Sequence, residues 1–183
     1  MAGAVEIVVY NRAILHDRQR GAEARHISAA SGCIRPAPQE ITQVHMTEPE
    51  DHELILPESG GWSTRADGLR MRFWRRGDRI VSEHTIPDTY HGPPGMAHGG
   101  IVATLLDEIS CAAAAWVFGW FAITGELTVR YQHPVPVETP LQWEACVTST
   151  AHPRYLVIEA TVQCAGKQLA RSTSKIFKQP VPT

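Results

Sequence analysis

The chain has 183 residues, with 17 Lys and Arg against 19 Asp and Glu and a formal net charge of −2 at pH 7. That length suffices for one domain with a hydrophobic core, and the balanced charge provides no single-sign field of the kind that recruits nucleic acid or an anionic membrane. The four cysteines, Cys33, Cys111, Cys146 and Cys164, are widely spaced with no Cys-x-x-Cys pair, which argues against a zinc knuckle or redox motif and fits reduced thiols in a cytoplasmic protein.

Residues 1–40 read as a weakly structured N-terminal extension, and 41–180 as a single domain. The apolar run at the start has no basic segment before it, so a signal peptide is not expected. Residues 11–30 are rich in Arg, Ala and His with little apolar periodicity, and one weak helix there cannot build a helix-turn-helix. Residues 41–56 accommodate a short helix or a covering segment before the turn at 57–61. Residues 69–74 alternate apolar and basic side chains, as a half-buried strand does; Arg76-Gly77-Asp78 marks a turn and 79–86 a second strand. A Pro/Gly-rich loop from His91 then runs into a long apolar helix that starts near His98 or Gly99 and ends before Gly119. Strands follow at 123–131, 141–151, 155–164 and 168–177, the last three joined by turns at 152–154 and 165–167. About six antiparallel strands with one long helix make an α+β architecture in which the sheet buries a face on that helix. No apolar run is read as a membrane span, because Asp107, Glu108 and Ser110 interrupt the helix.

The helix carries the chemistry. A glycine-flanked helix start leaves backbone N–H groups without carbonyl partners, able to hold an oxyanion or polarise a carbonyl. An acid two turns into an otherwise apolar helix is unfavourable unless it has a task or a partner. Asp107 shares a face with Ala103, Thr104, Ser110, Cys111 and Ala114, all small, which leaves room for a ligand beside the carboxylate. Glu108, turned ~100° away, is the competing acid. His98 and Asp107 are nine positions apart, ~13 Å along a helix axis. They cannot easily address one carbonyl carbon within a single subunit, so a symmetric dimer with two composite sites is expected.

His98-Gly99-Gly100 followed by Ala103-Thr104-Leu105-Leu106-Asp107 resembles the helix signature of hotdog-fold acyl-CoA thioesterases, relatives of the 4-hydroxybenzoyl-CoA and phenylacetate-pathway enzymes. Residues 124–136, which open on Thr124-Gly125-Glu126 and close on Pro134-Val135-Pro136, resemble the strand that follows that helix in the family. The resemblance covers residues 65–178. It implies the hotdog fold, an acyl-CoA substrate cleaved to free acid and CoA, a homodimer or homotetramer with sites at the dimer interface, and no cofactor beyond the CoA of the substrate. It assigns Asp107 the carboxylate role in preference to Glu108, as nucleophile or as general base. Gly99 and Gly100 are then the oxyanion donors, and His98 either orients the thioester or caps the helix. Thr124 matches a Thr or Ser that positions water or the carboxylate. Strand parity, however, puts Thr124 with Glu126, Thr128 and Arg130, away from the core, so it would act at a strand entrance or across the dimer. The chain departs from the family at Gly92, where many relatives carry an Asn that holds the carbonyl or the water; His91 is the neighbour that could replace it. Arg154 resembles a basic position used for CoA, with Arg130, Lys167 and Arg171 as alternatives. Trp116, Phe118, Trp120 and Phe121 are candidate walls of the acyl pocket.

Other chemistries are poorly supported. His84, His91 and His98 recur every seven residues without a helical His-x-x-x-His, so no metal site is expected, and no Gly-x-Ser-x-Gly elbow exists for a serine hydrolase. The alternatives kept open are a non-catalytic acyl-CoA-binding sensor, which could dispense with the acid, and a hotdog acyl hydratase, whose His and acid lie in other motifs.

Overall fold

A computed structural model describes residues 5–10, 52–54, 64–119 and 122–179. In chain order the elements are β1 (Val5–Tyr10), β2 (His52–Glu53), β3 (Trp74–Arg76), β4 (Arg79–Thr85), a 3-10 turn at Asp88–Tyr90, α1 (Gly99–Phe118), β5 (Ala122–Tyr131), β6 (Pro140–Ser149), β7 (Tyr155–Cys164) and β8 (Lys167–Lys178). The strands form one antiparallel sheet in the order β1-β5-β8-β7-β6-β4-β3-β2, with α1 packed against β4 to β8.

Period-two burial builds this layer. Leu141, Trp143, Ala145 and Val147 of β6 and Leu156, Ile158, Ala160 and Val162 of β7 are buried, while the residues between them face the other side. Val102, Leu105, Leu106, Ile109, Ala112 and Ala113 of α1 complete the core, and the alanines let the sheet approach the helix closely. Trp143, 1% exposed, fills the space under β4, its indole N–H directed at the His84 carbonyl at 3.4 Å. At its end, α1 stops on Gly119, whose φ of 65° is the left-handed conformation that terminates helices and whose N–H bonds the Ala115 carbonyl at 2.8 Å.

Several expectations are corrected. Among the described residues the sheet has eight strands, against about six expected. β1 pairs along β5 from Val5↔Tyr131 to Tyr10↔Glu126; the readings of 11–40 and of most of 41–56 fall outside the described residues. Leu69, Met71 and Phe73 are buried between exposed Arg70 and Arg72, as alternation required. The ladder nevertheless begins only at Trp74, because Arg70 takes a φ of 55° and breaks the extended run. By length and composition α1 is apolar enough to cross a membrane: its aliphatic residues outweigh Asp107 and Glu108. In this fold its apolar face covers the sheet. Cys146 is disulfide-bonded, whereas Cys111 and Cys164 are free. The expectation of reduced thiols therefore holds for Cys111 and Cys164 but not for Cys146.

Candidate active site

Thr124 shows how local backbone geometry decides a site. The β5–β8 register shifts between Thr124 and Glu126, leaving Gly125 as the extra residue of a β-bulge. The bulge reverses the parity of the strand's first residues, so Thr124 faces α1 together with Leu127 and Val129. The expectation that it points away from its own core is overturned for this reason. A Cβ at Gly125 would run into the Phe177 ring, 2.7 Å from Cδ2, so any side chain there would force that ring to move.

On the helix side, Asp107 and Cys111 stand one turn apart and meet Thr124 between them. The Thr124 hydroxyl donates to Asp107 Oδ1 at 2.6 Å, and Cys111 Sγ lies 3.3 Å from Thr124 Oγ1. Burial pushes the Asp107 carboxyl above the ordinary carboxylate range, and the Thr124 bond opposes that shift. Burial, reinforced by the negative charge of Asp107, pushes the Cys111 thiol far up, so it stays protonated. Of the small residues expected around Asp107, Ser110 and Ala114 turn into the core, while Ala103, Thr104 and Cys111 remain partly open. Glu108 is half-buried and engaged with a neighbour.

The start of α1 is the second cluster. His98 is its N-cap, with Nδ1 accepting from Gly100 N–H at 3.0 Å and its own N–H bonding the Tyr90 carbonyl at 2.9 Å. Tyr131, at the far end of β5, donates its hydroxyl to the Gly99 carbonyl at 2.6 Å. The Gly99–Gly100 peptide is thus held at both ends. The expectation of two glycine oxyanion donors narrows accordingly: Gly100 N–H is occupied by His98, and Gly99 N–H meets no acceptor among the described residues. Gly92 packs on His98, since a Cβ there would lie 3.3 Å from His98 Cα. His91, next to it, keeps Nδ1 2.6 Å from the Asp88 carbonyl.

The Tyr131–Gly99 and Cys111–Thr124 contacts are not anticipated by the sequence analysis. An aromatic hydroxyl at a strand end and a thiol one turn after an acid were the available signals.

The basic residues are dispersed. Arg130 and Arg171 pair across β5 and β8 on the sheet face away from α1. Lys167 opens β8 at the end of the sheet where Tyr131 lies, and Arg154 precedes β7 at the end where Thr124 lies. All four are exposed, and Arg130 and Arg154 have partners. Trp116 and Phe118 are half-buried, lying beneath Arg75 (4.7 Å) and Lys178 (5.9 Å) respectively; Trp120 and Phe121 are outside the described residues. A groove of about 300 Å³ lined by Arg79, Glu144, Glu159 and Arg171 includes neither Asp107 nor Thr124. Among the described residues no three His, Cys, Asp or Glu side chains are placed to hold a metal ion.

One long helix laid on an antiparallel sheet, with a glycine-led start and a carboxylate two turns in, is the hotdog fold. Known thioesterases share it. A thioesterase superfamily protein of solved structure is 27% identical with a TM-score of 0.57, covering 62% of this chain and 56% of that one. Zebra fish thioesterase superfamily member 2 has the same fold at 18% identity, TM-score 0.55, over 63% of this chain and 90% of its own. A Ralstonia eutropha putative thioesterase, described as a phenylacetic acid degradation-related protein, matches at 18% identity, TM-score 0.54, over 60% and 86%. Among curated proteins the chain is similar to the acyl-coenzyme A thioesterase THEM4 of Xenopus laevis, 36% identical over 66 residues. That match spans 36% of this chain and 29% of the relative's length. No family model matches the sequence.

Proposed function

We propose that the protein is a thioesterase that hydrolyses an acyl-CoA to the free acid and CoA. The observation that carries this reading is the Asp107 carboxylate held at Oδ1 by Thr124 on the partly open side of α1. Fixing Oδ1 leaves Oδ2 for the reaction, and a carboxyl raised by burial is a better base than one in water. As a base, Asp107 takes a proton from water while the hydroxide oxygen bonds to the thioester carbon. The carbonyl oxygen gains the negative charge and is met by a Gly99 N–H. Collapse breaks the C–S bond and releases CoA as a thiolate, a good leaving group that needs no strong acid. In the nucleophilic variant Oδ2 attacks the same carbon, and water then opens the mixed anhydride.

Gly99 and Asp107 are eight residues apart on α1, ~12 Å along its axis. We therefore assign the two groups of each site to different subunits of a homodimer. His98 orients the helix start, and Arg154, at the Thr124 end of the sheet, is the first choice for the CoA phosphates. The test is release of free thiol from short, long and aryl acyl-CoAs by wild type and Asp107→Asn. Turnover abolished in the variant, with fold and assembly intact, is the expected result. Turnover retained would move the carboxylate role to Glu108, and binding without turnover by wild type would leave a sensor.

A further inference from the structure

Cys111 has no place in the reaction above, yet it touches the group that holds the reacting carboxylate. The Thr124 hydroxyl has one proton, and at 2.6 Å from Asp107 Oδ1 that proton lies on the bond to the carboxylate. At the 3.3 Å contact between Cys111 Sγ and Thr124 Oγ1, therefore, Thr124 can only accept, and the thiol must donate. The thiol is protonated at any physiological pH, because burial and the Asp107 charge both oppose its ionisation. The three groups form one directed chain, from the Cys111 S–H to the Thr124 O–H to the Asp107 carboxylate.

We propose that Cys111 is a positioning residue: its thiol fixes the Thr124 hydroxyl in the orientation that donates to Asp107. Through Thr124 it stabilises the ionised, working form of the acid. This rests on the thioesterase reading for its catalytic meaning, although not for its physical content. Hydrogen bonds in series polarise one another, and removing the first donor weakens the second bond by ~10–30%. Without the thiol, Thr124 also regains the freedom to rotate away.

Cys111→Ala and Cys111→Ser leave voids of nearly the same size, but only Ser keeps a donor. In the Ala variant the acid limb of the kcat/KM profile against acyl-CoA should move to higher pH, making activity on that limb about two- to fivefold lower relative to its plateau. Ser should restore the wild-type profile. The same midpoint is readable without turnover, by 13C NMR titration of labelled Asp carboxyls, with the Asp107 signal identified as the one lost in Asp107→Asn. A raised midpoint in Ala with recovery in Ser supports the positioning role. Equal midpoints in Ala and Ser overturn it, even if both are less stable than wild type. A wild type that hydrolyses no acyl-CoA would defeat the thioesterase reading and leave the NMR comparison to decide the role of Cys111.

Discussion

Asp107 sits where ionisation and folding conflict. Its carboxyl is raised by burial first, with the Thr124 bond working in the opposite direction. A folded-state value above the unfolded one means that the native state binds the proton more tightly. The contribution to stability is then greatest below the ordinary carboxylate value of 3.8 and is lost as pH rises through the folded value. Asn imitates the protonated acid at every pH. Asp107→Asn should therefore melt above wild type at neutral pH, with the gap closing as pH falls below the carboxylate range; Tm measured from pH 3 to 8 checks this. A gap that does not vary with pH would mean that the charge is not penalised. Thr124→Val tests the opposing influence: losing a hydrogen bond to a charged group should lower kcat roughly tenfold or more and move the acid limb of the rate profile upward. A profile that stayed in place would separate Thr124 from the acid's ionisation.

Among the elements, β5 does the most to assemble the site, and it was the hardest to read. Its apolar and polar alternation located the strand to within a residue, as it did β7 and β8, and β6 to within two. The helix was equally plain, since His98, the glycines and Gly119 mark its ends by the chemistry of helix termini. What alternation could not reveal was the bulge at Gly125, because a register shift depends on the partner strand. Phe177, more than fifty positions away, is what a side chain there would have to displace. Once one residue is inserted, every side chain before it changes face, so Thr124 was assigned to the wrong one while the motif that contains it was found. Asp107 was found because charge in an apolar stripe is visible locally, whereas Tyr131 reaches Gly99 only through tertiary packing. Gly125→Ala should therefore cost ~1–3 kcal/mol, as overpacking does, measured by urea denaturation. It should also lower turnover by displacing Thr124 from Asp107. A destabilised variant with unchanged turnover would show that the bulge serves packing alone.

At the scale of the whole molecule, the two clusters lie at opposite ends of β5. Tyr131 holds the start of α1 and Thr124 holds Asp107, so the composite site proposed above combines the helix start of one subunit with the acid of another. A proline at position 99 isolates the first half. The first helical position tolerates proline, and His98, at φ −61° and ψ 133°, already has the conformation that a following proline demands. Gly99→Pro thus deletes one N–H with little change to the helix, and it should abolish turnover as Asp107→Asn does. Mixing the two inactive proteins and allowing subunits to exchange then discriminates between arrangements. If Gly99 and Asp107 act from different subunits, each mixed dimer regains one site with both groups intact. Random pairing at equal amounts makes half of the dimers mixed, so activity should return to about a quarter of wild type. If both groups act within one subunit, every site in the mixture still lacks one of them and no activity returns.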